Sequence, residues 1–166
     1  QYVFNCDDSK IKGSIKYSVI GRYHSDFKEC SGMIIYDKLK KEVKHVQLEI
    51  KAQSIHSDCE WCDKVVVSKQ LLDADRYPLI VFNGKDFERE ADGYRVKGFI
   101  DLHGVKKVFD SQFSAAESGD GNLYLKGAWV LRRKDFNITW NAVLDHGGVL
   151  VGDHITVDWE IQAKIQ

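Results

Sequence analysis

Cys59-Glu60-Trp61-Cys62 is the arrangement in this chain that most directly suggests chemistry, because a C-x-x-C serves haem attachment, dithiol exchange or metal ligation. Covalent haem needs a histidine directly after the second cysteine, and Asp63 stands there. A thioredoxin-like pair sits at a helix N-terminus in a βαβ unit, which lowers the thiolate pKa; the pattern around this pair is not βαβ. His56 completes an H-x-x-C-x-x-C, but structural zinc needs four ligands, and no second C-x-x-C or H-x-x-x-H follows. No metal and no cofactor is therefore expected. An even count of cysteines suits disulfides, so Cys6, Cys30, Cys59 and Cys62 are all disulfide candidates, with three connectivities open to them. Such bonds would pin loops and indicate an oxidising compartment.

Other polar candidates are sparse. Arg133 could grip a phosphate or carboxylate with two parallel hydrogen bonds, or form a surface ion pair with Asp135. His103, just before Gly104, could meet a ligand head group or organise a turn. His24, His45, His146 and His154 show no ligand spacing. Gly-x-Ser-x-Gly, P-loop, His-Glu-x-x-His and Gly-x-Gly-x-x-Gly patterns are all missing, so no catalytic residues are assigned and an enzyme is not expected.

The elements that must position these groups follow from composition and periodicity. A chain of 166 residues fits a single domain over 1–166, large enough to bury a core without staples. Lys and Arg number 24 against 25 Asp and Glu, which leaves no electrostatic footprint for nucleic acid. No apolar run reaches the ~18 residues of a membrane-spanning helix, so an integral membrane protein is not expected. The first residue is Gln1 rather than methionine, which reads as a secreted or periplasmic chain after loss of a signal peptide.

Side chains of a strand alternate between two faces, and strict alternation dominates the sequence. Ile11, Gly13, Ile15, Tyr17 and Val19 share one parity, as do Tyr94, Val96, Gly98, Ile100 and Leu102. The clearest run is Ile155, Val157, Trp159, Ile161, Ala163 and Ile165, against Thr156, Asp158, Glu160, Gln162 and Lys164. Weaker strands fall at Met33–Tyr36, Val43–Ala52, Leu79–Asn83, Val108–Ser114 and Leu123–Leu131, which brings the number to about eight. One short helix is expected within Val65–Arg76, closed by Tyr77-Pro78. Arg133–Gly152 reads as irregular. Long one-sided strands must hide their edges, and a closed antiparallel barrel removes edges altogether. An eight-stranded barrel has an interior that side chains fill or that holds one small ligand.

Several segments carry a resemblance. Leu71-Leu72-Asp73-Ala74-Asp75-Arg76-Tyr77-Pro78-Leu79-Ile80-Val81-Phe82, Leu102-His103-Gly104-Val105-Lys106-Lys107, Arg133-Lys134-Asp135-Phe136-Asn137-Ile138 and Val151-Gly152-Asp153-His154-Ile155-Thr156-Val157 together resemble the YceI-like family, in its order and over the whole chain. The chain departs from that pattern at Lys106, where threonine is usual, at Asn137, where glycine is typical, and in its four cysteines. The resemblance implies an all-β, lipocalin-like barrel exported to the periplasm that binds long amphiphilic chains such as polyisoprenoids, isoprenoid quinones or fatty-acid derivatives.

The aromatic residues give that implication a physical counterpart. Tyr17, Phe82, Phe113, Trp129 and Trp159 fall on inward parities and are the expected lumen lining, with His103 and Arg133 as candidates for the head group. The expected partner is thus an amphiphilic lipid or isoprenoid; a homodimer stays open. Two other readings stand beside it: a thiol or metal protein acting through Cys59 and Cys62, and a filled barrel serving as an interaction module.

Overall fold

The computed structural model describes residues 1–17, 21–140 and 151–166, with the side chain of Tyr17 outside the description. Its strands are β1 (Tyr2–Asn5), β2 (Lys10–Tyr17), β3 (Gly21–Phe27), β4 (Cys30–Asp37), β5 (Glu42–Lys51), β6 (Ile55–His56), β7 (Leu79–Glu90), β8 (Gly93–Leu102), β9 (Val105–Glu117), β10 (Leu123–Arg132) and β11 (Val151–Ile165), with one helix, α1 (Glu60–Val67). Every pairing among them is antiparallel.

Eight of these strands form a closed ring in the order β1-β4-β5-β7-β8-β9-β10-β11, and β11 returns to β1 through Tyr2↔Ile165 and Val3↔Lys164. The remaining three prolong the staves. β2 continues β1 along β11, β3 lies beside β2 as β4 lies beside β1, and β6 lies beside β3. The barrel is therefore the expected eight-stranded, antiparallel one, with three staves broken midway. At the first break Ser9 is buried, and its hydroxyl accepts the Gln162 N–H at 3.1 Å in place of the missing ladder bond.

Alternation places the core as the sequence suggests. Tyr94, Val96, Ile100 and Leu102 of β8 are buried, while Arg95, Lys97 and Phe99 face out. Along β11, Val157, Trp159, Ile161 and Ala163 point inward, whereas Ile165 is exposed where the strand runs past the core. Val19 belongs to residues outside the description, as do Asp145, His146, Gly147 and Gly148 of the irregular stretch.

The helix differs from expectation. It spans Glu60–Val67 rather than lying within Val65–Arg76. Cys59 is the N-cap, and its Sγ accepts the Cys62 N–H at 3.1 Å. At the other end Ser68 closes the helix by bonding the Val65 carbonyl at 2.6 Å. Asp73 adopts φ +46°, which a right-handed helix does not admit, so residues 68–78 run as turns instead. The start signals are modest, a capping cysteine with Glu60 and Asp63 in the first turn, and alternation reads none of them.

Candidate ligand-binding site

One cavity of about 100 Å³ opens at the barrel end that α1 covers. The barrel contributes Ile15, Ile50, Ile80, Ile100, Leu102, Leu131, Ile155 and Val157 to its wall; Val66 of α1 and Leu71 and Leu72 of the following turns roof it. Ser14, Ser25, Tyr23 and Arg133 are its polar members. Below it, Phe82 and Trp129 separate the cavity from a second void of about 20 Å³ lined by Val46, Leu48, Val96, Phe113, Leu125, Trp159 and Ile161.

The structure places the sequence candidates on this axis as follows. Phe82 and Trp129 form the partition and touch both spaces, whereas Phe113 and Trp159 line only the lower void. The side chain of Tyr17 lies outside the described residues. The rings make one column: Tyr94 stacks on Phe113 at 5.3 Å between centroids, Phe113 meets Trp159 at 6.0 Å, Trp159 meets Trp129 at 5.9 Å, and Trp129 meets Phe82 at 5.1 Å. Such offset and edge contacts add to burial. Gly127 sits opposite Trp159, and a Cβ there would come within 2.5 Å of the indole Cζ2. Its glycine makes the seat for that ring.

Arg133 is buried, at 3% exposure, and its guanidinium turns to backbone carbonyls rather than to an ion pair with Asp135. Its Nε donates to the Gly152 carbonyl at 2.7 Å, Nη1 to those of Ile138 and Trp140 at 3.1 and 2.9 Å, and Nη2 to that of Val151 at 3.1 Å. Burial pushes its pKa below the usual range, opposed by the charge of Asp153. The guanidinium thus draws the chain after β10 and the start of β11 together at the edge of the cavity. His103 does not line the cavity. Its Nδ1 lies 2.9 Å from the Phe136 carbonyl oxygen, and its ring meets Tyr77 edge-on at 4.9 Å.

All four segments that carry the resemblance meet here. His103 and Gly104 hold positive φ values of +55° and +71° in the two-residue turn between β8 and β9, and Gly104 passes so near Tyr77 that a Cβ would sit 2.5 Å from its ring. Asn137, φ +56°, ends the 3₁₀ turn Arg133–Phe136 in the left-handed conformation, which asparagine tolerates almost as glycine does. That explains the departure from glycine at this position. Sequence reasoning missed Tyr23 and Asp63 altogether. The Tyr23 hydroxyl donates to Asp63 Oδ1 at 2.5 Å, and Asp63 also accepts the Ser57 N–H at 2.9 Å, so α1 is bolted to β3 beside the cavity. No periodic signal links residues 40 positions apart.

The disulfides are Cys6–Cys30, across the break between β1 and β2, and Cys59–Cys62 at the start of α1. Among the described residues no group of three or more His, Cys, Asp or Glu could hold a metal ion.

A UPF0312 protein of Pseudomonas putida strain W619 is 31% identical over 130 residues, covering 76% of this chain and 63% of that protein. A UPF0312 protein of Yersinia enterocolitica is 25% identical over 134 residues, covering 78% of this chain and 70% of its own length. The chain thus spans less than two thirds of the Pseudomonas relative. BcnA of Burkholderia cenocepacia superposes with a TM-score of 0.85 at 20% identity, covering 97% of this chain and 99% of BcnA. A polyisoprenoid binding domain from Saccharophagus degradans, implicated in plant cell wall breakdown, gives 0.76 at 14% identity, with 99% and 98% covered. At those identities the superpositions speak for the barrel. With the YceI-like domain matched over residues 2–163, the chain belongs to the YceI-like family.

Proposed function

We propose that this protein binds the apolar chain of an amphiphilic isoprenoid-type lipid inside the barrel and carries or sequesters it, as a binding protein rather than an enzyme. The observation that carries this reading is the apolar cavity at one end of the barrel, walled by aliphatic side chains and floored by Phe82 and Trp129. Ligand pockets are of this kind, mostly apolar with few polar groups. A cavity of about 100 Å³ holds only the first part of a long chain. Arg133, on the cavity wall, is the candidate contact for a head group that offers an acceptor; His103, which does not line the cavity, has no part in it. The Saccharophagus domain that shares the fold is described as polyisoprenoid-binding, which supports the same class of ligand. Two disulfides suit an extracytoplasmic compartment, periplasmic or secreted.

The test is organic extraction of protein purified from its own host, followed by mass spectrometry, together with uptake of a prenyl-chain probe by the emptied protein. A long-chain lipid in the extract and saturable uptake are expected. A barrel that carries no lipid and takes up no prenyl probe overturns the reading and leaves a filled barrel used as an interaction module.

A further inference from the structure

Two disulfides in one small barrel differ in what they can do. Cys6–Cys30 joins residues 24 positions apart, and both cysteines pack against the hydrophobic core. Cys59–Cys62 spans three positions on a turn that the helix already closes, so it constrains the unfolded chain far less. Its surroundings differ as well. Neither cysteine is buried, Trp61 between them is 74% exposed, and the Glu60 side chain beside it reaches into solvent. Cys59 is the helix N-cap, and its sulfur already accepts the Cys62 N–H at 3.1 Å. An amide donor and the positive end of a helix both stabilise charge on that sulfur. The turn before the helix is held in place: the Cys59 N–H donates to the Ser57 hydroxyl at 3.1 Å, and the Ser57 N–H donates to Asp63.

We infer that Cys59–Cys62 is a thiol–disulfide exchange site, which takes the electrons of a dithiol on a protein or peptide partner docking over Trp61. A partner thiolate attacks Cys62 Sγ and forms a mixed disulfide. The Cys59–Cys62 bond breaks, and its electron pair leaves on Cys59 Sγ, where the Cys62 N–H and the helix terminus receive it. The second partner thiol then gives up its proton and attacks its own neighbouring sulfur in the mixed disulfide. That expels Cys62 Sγ, which takes up the proton. The partner dithiol has become a disulfide and the protein's disulfide a dithiol, with two electrons transferred. Leaving ability rises as the leaving thiol's pKa falls, so the stabilised sulfur, Cys59, is the leaving group. The inference is independent of what the cavity holds.

The test uses the intact oxidised chain and a synthetic peptide with two cysteines as the dithiol probe at pH 7, with oxidised glutathione as reference oxidant. Oxidation of the peptide is expected to run at least about tenfold faster than with glutathione disulfide, and to vanish in Cys59→Ser/Cys62→Ser, which retains Cys6–Cys30. Alkylation and peptide mapping of the product should find Cys59 and Cys62 reduced with Cys6–Cys30 intact, and Cys59 alkylated at least about threefold faster than Cys62. A rate equal to that of glutathione disulfide, reduction of both disulfides together, or equal alkylation of the two cysteines overturns the inference. Tryptophan emission and far-ultraviolet circular dichroism establish that the double variant still forms its barrel.

Discussion

Arg133 stands in the sequence as a head-group candidate beside Asp135, yet the folded chain spends its guanidinium on backbone carbonyls of Ile138, Trp140, Val151 and Gly152. A lysine cannot reproduce a planar fork serving four acceptors. Arg133→Lys is expected to lower stability by about 2–4 kcal/mol, since orphaned buried acceptors are costly, measured by denaturant unfolding monitored at the tryptophans. Tyr23 and Asp63 titrate in opposite directions. Burial, then the hydrogen bond to Asp63, raises the Tyr23 hydroxyl from 10.0 to about 12. Its folded pKa exceeds the unfolded one, so its contribution is whole below pH 10 and fades as pH rises toward 12. For Asp63, burial alone would raise the pKa, but hydrogen bonds from Ser57 and Tyr23 outweigh it and the net shift is down. That contribution is present above the ordinary carboxylate range and is lost as pH falls through it. Asp63→Asn should therefore melt earlier than the parent at pH 7, and the gap should close in acid, which thermal melts between pH 3 and 7 will measure. The distant partnerships, Tyr23 with Asp63 and Arg133 with Val151 and Gly152, were not legible in the sequence, because only the closed barrel brings them together.

At the scale of elements, the legible part was whatever alternates. Tyr94–Leu102 and Ile155–Ala163 read out their inward faces residue by residue, because each pairs without a register shift along one whole side, with β9 and β10 respectively. The broken staves were harder. Val151–Gly152 belongs to β11 although alternation begins only at Ile155, since the register shifts between those positions. Helix α1 was hard to read from periodicity: it has only eight residues, and its apolar side is the run Val65–Val67 at its end, partly buried rather than repeated along a stripe. The disulfides give a comparison at this scale. Loop entropy assigns about 3.5 kcal/mol to a bridge the length of Cys6–Cys30 and about 2 kcal/mol to one the length of Cys59–Cys62. Removing the first as Cys6→Ser/Cys30→Ser should lower the denaturation midpoint clearly more than removing the second, by parallel guanidinium titrations.

For the molecule as a whole, closure of the sheet was predictable from long one-sided strands, but the division of its interior was not. Parity says that Phe82, Phe113, Trp129 and Trp159 point inward; only packing says that two of them form a floor and two lie beneath it. Trp129→Ala should merge the two spaces at a cost of about 3–5 kcal/mol, typical of large-to-small core changes. Under the proposed lipid-binding role, the variant should also accept prenyl probes at least one isoprene unit longer, judged by competition among probes of graded length. Gly127→Ala should do the reverse by pushing Trp159 off its seat and into the lumen.

The column from Phe82 to Tyr94 also blocks the barrel at its far end, where the Tyr94 hydroxyl is tied to the Lys41 carbonyl at 2.7 Å. Under the proposed lipid-binding role, a sleeve stopped at that end would measure what is put into it: a guest would enter from the end that α1 covers, and whatever exceeded the depth would stay outside. Such a protein would act as a gauge of chain length, and the part of its cargo left protruding is what the next protein in line would see.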